Sequence, residues 1–146
     1  MTTHARQQIR QAVATACTGL TTTGSRVHQS RMRPATDAGL PCLLISTGDE
    51  SIEASVQAHQ ARTLIVTVRG LAKVAADLDD TLDAMALEVE TAIQSAGTLS
   101  GLVPGRLQLI SISTDFDDSL DKPAGQIVLE FKAGYFTASG SPGAIV

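Results

Sequence analysis

The chain has 146 residues, 43% of them hydrophobic and 18% charged, which supplies enough apolar material for one packed core. Its aromatic share is 3%, made of Phe116, Phe131, Tyr135 and Phe136 without any Trp, and this excludes modules that stack unpaired bases or sugars on aromatic platforms. The formal net charge of -4 lacks the basic signature of a protein that wraps duplex DNA, yet residues 1–33 carry Arg6, Arg10, Arg26, Arg31 and Arg33 with no acid, and the remaining six bases and fifteen acids leave -9.

From Thr3 to about Thr18 the residues Ile9, Ala12, Val13, Ala16 and Cys17 recur at three- and four-residue steps, the spacing of one helix face. Thr2 or Thr3 is the expected cap and Gly19 the expected end. Residues 21–40, rich in Thr, Gly and Arg, read as an edge strand, hairpin or extended arm. Pro41 to Ser46 is a short apolar strand, closed by the turn signal Gly48-Asp49-Glu50. Ile52, Ala54 and Val56 then alternate with polar residues. In Thr63 to Val68 the alternation puts Leu64, Val66 and Val68 on one face and Thr63, Thr67 and Arg69 on the other.

The clearest helix runs from about Asp77 to Ala96, with Leu78, Leu82, Met85, Ala86, Val89 and Ile93 at helical spacing and Gly97 beyond it. Asp77 is its expected cap, and Asp79, Asp80 and Asp83 complement the positive end of its dipole. After a glycine-rich connection, Leu107 to Ser113 reads as a strand whose alternation changes phase between Leu109 and Ile110, the mark of a bulge. An acidic loop, Asp115 to Asp121, leads to a last strand in which Ile127, Leu129, Phe131, Ala133 and Tyr135 share a face. Phe136 points the other way. Residues 138–146, rich in Gly, Ser and Pro, read as a flexible tail on a single domain spanning 1–137. This order predicts an α+β fold, a mainly antiparallel sheet with two helices packed on one face.

The chemistry-bearing patterns fail on context. Asp115-Phe116-Asp117 after an apolar strand imitates the start of a phosphatase of the haloacid-dehalogenase type, but only 25 residues follow Asp121, too few for the rest of such a site. A calcium loop beginning at Asp115 would need Gly at its sixth position and Glu at its twelfth, where Leu120 and Gln126 stand. His4, His28 and His59 lie far apart with no nucleophile signature near them. Cys17 and Cys42 have no metal-ligand spacing and read as buried apolar residues. No leader-like apolar segment follows Met1, and no apolar run approaches the ~18 residues of a membrane span. The expectation is a structural or binding subunit made in the cytoplasm, with no catalytic residues, no metal and no cofactor. The competing reading is a small metal-dependent enzyme or binding module built on Asp115 to Asp121.

The order of motifs resembles the tail terminator proteins of long-tailed bacteriophages, the minor tail protein U type. The resemblance runs from the N-terminal helix through Arg31-Met32-Arg33-Pro34, the strand Pro41 to Ser46 and Arg62-Thr63-Leu64-Ile65-Val66-Thr67-Val68. It continues through the helix from Leu78-Asp79-Asp80 to Leu82-Asp83 and on to Ile93, and into the closing hairpin from Thr114-Asp115 through Pro123 to Phe131. The resemblance implies a hexameric ring that caps the finished tail tube, stops its growth and offers a head-joining surface at the tail-head junction of the virion. Its implied partners are further copies of itself, the tail tube protein and a head-completion or connector protein, with DNA passing through the ring unread and no membrane involved. Another neck protein of the same texture is the alternative. The split of charge motivates assigning Arg26, Arg31 and Arg33 to a subunit or tube interface, and Phe136, off the core face, joins them.

Overall fold

The computed structural model describes residues 3–32, 37–54, 58–74, 76–117 and 124–146. In chain order these form α1 (Ala5–Ala16), β1 (Val27–His28), a single 3₁₀ turn (Asp37–Gly39), β2 (Cys42–Ala54), β3 (His59–Lys73), α2 (Leu78–Ala96), β4 (Gln108–Asp117), β5 (Ala124–Ala138) and β6 (Ser141–Ile145). The sheet order is β1-β2-β3-β5-β4, with β6 paired to the end of β5. All pairings are antiparallel except that of β1 with β2. The fold is therefore α+β, as the sequence predicts.

Both helices lie on one face of this sheet. Ile9, Val13 and Cys17 of the α1 side and Leu82, Met85, Val89 and Ile93 of α2 bury against Leu43, Ile45, Leu64, Val66, Val68, Leu129 and Phe131. The alternation in β3 and β5 makes this possible, because every second residue from Arg62 to Val68 and from Ile127 to Thr137 turns toward the helices and is buried. α2 sits close to the strands where two glycines face it. A Cβ at Gly70 would meet Met85 Cε at 2.7 Å, and one at Gly125 would meet Leu78, Leu82 and Phe116 side chains at 3.1 to 3.2 Å. Leu99, Val103 and Leu107, from the connection after α2, close the core. A smaller cluster of Cys42, Leu44 and Leu71, with Leu40 against it, lies apart from this core.

Several local expectations give way to tertiary context. α1 is capped by His4, whose Nδ1 accepts from the Arg6 amide at 3.1 Å, and not by Thr3; Thr2 lies outside the described residues. Asp77 precedes α2 in a left-handed conformation, φ 59°, and its carboxylate makes no cap; its backbone carbonyl instead accepts from the Thr81 amide and hydroxyl. Gly48-Asp49-Glu50 does not turn the chain. β2 runs straight through it with a bulge, two residues facing one on β3. The segment expected to be a flexible tail turns at Gly140, φ 78°, and returns as β6. It is fastened by Gln8, whose amide donates to the Gly143 carbonyl at 2.9 Å, and by Ile145 against the core. Of the region 21–40, β1 occupies only Val27 and His28, at the sheet edge beside β2. Residues 33–36 lie outside the described part.

Candidate subunit interface

β4 is the unusual element. It forms one edge of the sheet, and all ten of its residues are exposed. The bulge expected at Leu109 and Ile110 is present: Leu109 pairs with Phe131 and Ser111 with Glu130, so Ile110 is the extra residue. The bulge resets the phase so that Leu109, Ile112 and Phe116 all fall opposite the buried-face residues Phe131, Leu129 and Gly125. They therefore extend the apolar face of the sheet past the cover of α2. A groove of about 380 Å³ remains between α2 and β4, floored by Ile93, Leu107 and Phe131 and walled by Leu109 and Glu90. On the other side of β4, Asp115 and Asp117 pair with Gln126 and Ala124. The rest of the acidic loop, Asp118 to Asp121, lies outside the described residues, and among the described residues no group of three acidic, His or Cys side chains could hold a metal ion.

The part of the opposite edge beside β1 carries a cluster of arginines. Arg10 of α1 donates to the Gln29 side chain at 3.2 Å, Arg26 donates to the carbonyls of Pro41 at 2.7 Å and Thr22 at 3.1 Å, and Arg31 donates to the Thr47 carbonyl. These contacts have a local cause. The bulge in β2 draws the Thr47 and Gly48 carbonyls out of the ladder, and Arg31 and Arg6 satisfy them, Arg6 at 2.6 Å from Gly48. Two of the three arginines assigned from sequence to an interface thus also brace their own chain. Arg33 lies outside the described residues. Phe136 is 40% exposed and faces away from the helices, opposite Ala61. Arg26 and Arg31 share the β1 edge, whereas Phe136 lies on β5 and is not brought together with them.

The same bulge creates a feature that sequence reasoning missed. Without it Asp49 would face the helices; with it Glu50 does, and its side chain is only 4% exposed. Its carboxylate lies 3.6 Å from both Arg62 and Arg6 and accepts a hydrogen bond from the Tyr135 hydroxyl. Arg62, 7% exposed, also donates to Thr137 at 2.8 Å. One signal was available: Arg62 shares the apolar face of Leu64, Val66 and Val68, where a charge requires a partner.

Burial, then the Glu50 hydrogen bond, raises the Tyr135 phenol above its ordinary range, and burial pushes the Cys17 thiol up to about 12. Both groups keep protons in the folded chain that the unfolded chain releases from about pH 9 upward, so this stability is complete below that pH and is lost as pH rises further. Thermal melts should accordingly show a midpoint that falls above about pH 9, and Tyr135→Phe should flatten the part of the fall above about pH 10.

No protein-family model matches the chain, and no match to a curated protein was found. Among solved structures, the chain is similar to one from "Virion of native gene transfer agent (GTA) particle", at 19% identity over 90% of this chain and 92% of that chain, with a TM-score of 0.45. Among the described residues no helix is long and apolar enough to cross a membrane.

Proposed function

We propose that this chain is a structural virion protein of a phage-like particle, a tail terminator that closes as a hexameric ring on the finished tail tube, halts its growth and offers the surface that meets the head. The observation that carries the reading is β4. A ten-residue strand at the end of the sheet order, exposed along its whole length and with Leu109, Ile112 and Phe116 on one face, is a template for pairing with another chain. A ring of identical subunits covers such an edge in every copy, and a capping protein needs a second face unlike the tube to end polymerisation. The resemblance of the motif order to the terminator family supports the same reading. The net charge of -4 suits a passage through which DNA phosphates must slide without being held. The role is one of assembly, with no catalytic step and no cofactor.

Native mass spectrometry of the purified chain tests the ring. A closed species of six times 15.2 kDa is expected. A ring of another copy number would favour a different head-tail connector, and a monomer persisting at high concentration would overturn the proposal.

A further inference from the structure

The ring reading requires a contact that repeats between unlike surfaces, since head-to-tail contacts generate rings when their rotation closes. The two sheet edges supply unlike surfaces. Resting on that reading, we infer that neighbouring copies join edge to opposite edge, with Met32 of one copy seated in the groove between α2 and β4 of the next and Arg31 beside it facing Glu90.

Met32 is the most exposed large apolar side chain among the described residues, at 79%. It stands just past β1, the edge farthest in strand order from β4, and directly follows Arg31. The groove at β4 has room for a side chain of this size. Leu109 is its exposed apolar wall, Ile93, Leu107 and Phe131 lie buried beneath, and Glu90, Thr91, Gln94 and Ser95 form its polar side. A thioether on three rotatable bonds adapts to such an irregular gap.

Charge sets the orientation. Around Met32 the edge carries Arg10, Arg26 and Arg31, with the exposed acids Asp49 and Glu53 farther along β2, while the groove rim carries Glu90, with exposed Asp79, Asp80 and Asp83 on the same helix and Asp115 on β4. Arg106, near the groove, is turned onto the Gln94 carbonyl at 3.5 Å. Opposite potentials bring the two edges together and penalise the reverse pairing of basic edge with basic edge. β1 spans two residues, so a backbone ladder between the edges is short. Side chains must therefore fix the register.

Disulfide trapping tests this directly. Met32→Cys and Leu109→Cys chains are made separately, mixed and oxidised; Cys17 and Cys42 are buried and contribute little background. The mixture should give a cross-linked dimer that neither variant gives alone, and a chain bearing both substitutions should give a ladder of covalent oligomers. In parallel, Met32→Asp should weaken self-association by about tenfold or more, and Arg31→Glu should be rescued by Glu90→Arg. A six-subunit ring that survives Met32→Asp and yields no cross-link would overturn this contact while leaving the ring intact. Specific cross-links in open chains without a closed ring would uphold the contact and sink the ring. A monomer under every condition would overturn both.

Discussion

Phe131→Ala will lower the free energy of unfolding by about 3 to 5 kcal/mol, the cost of deleting a large core side chain and leaving its cavity. The ring is 2% exposed and sits between Val66 of β3 and Leu109 of β4, at the point where the covered part of the sheet meets its open edge. With 3% aromatic content, the surrounding core is mostly aliphatic. Phe136→Ala on the same strand will cost about 1 kcal/mol or less, because that ring is partly in water on the other face. Chemical denaturation of the two variants separates them. A larger loss for Phe136 than for Phe131 would reverse the assignment of faces on β5.

Glu50→Ala will cost about 3 to 5 kcal/mol as well, by a different route. It leaves Arg62 buried without its carboxylate and removes the acceptor of the Tyr135 hydroxyl, while Arg6, partly exposed, can return to water. Because the penalty belongs to the uncompensated charge, removing that charge too should relieve it. The double variant Glu50→Ala, Arg62→Met is expected to recover most of the loss, since a buried pair replaced as a whole by apolar groups is often near neutral. Denaturation midpoints for the two single variants and the double variant complete the cycle. Strict additivity would show that Glu50 and Arg62 do not act as a pair.

The parts of the fold that were legible are those governed by one element's own period. α2 displays Leu82, Met85, Ala86, Val89 and Ile93 at helical spacing, and those five are the residues it buries. β5 alternates cleanly, and the change of phase at Leu109 and Ile110 announces the bulge in β4. What was illegible depends on a partner distant in sequence. Gly48-Asp49-Glu50 carries a strong local turn signal, and only pairing with β3 makes it a bulge. β6 contains Pro142 and Gly143, poor strand formers that an edge position tolerates. Glu50 and Tyr135 are 85 residues apart, so nothing local announces their hydrogen bond. At the candidate interface, composition disclosed the basic N-terminal region. The structure was needed to show that Arg26 and Arg31 brace their own backbone and that the open groove lies at the other edge.

The proposed role of the protein is to end tail growth, and tail length measures that most directly. In a strain that produces the particle, deleting the gene for this chain and imaging the assembled tails by electron microscopy should reveal tubes that run far past normal length and carry no heads. Tails of normal length joined to heads in the absence of the protein would contradict the account.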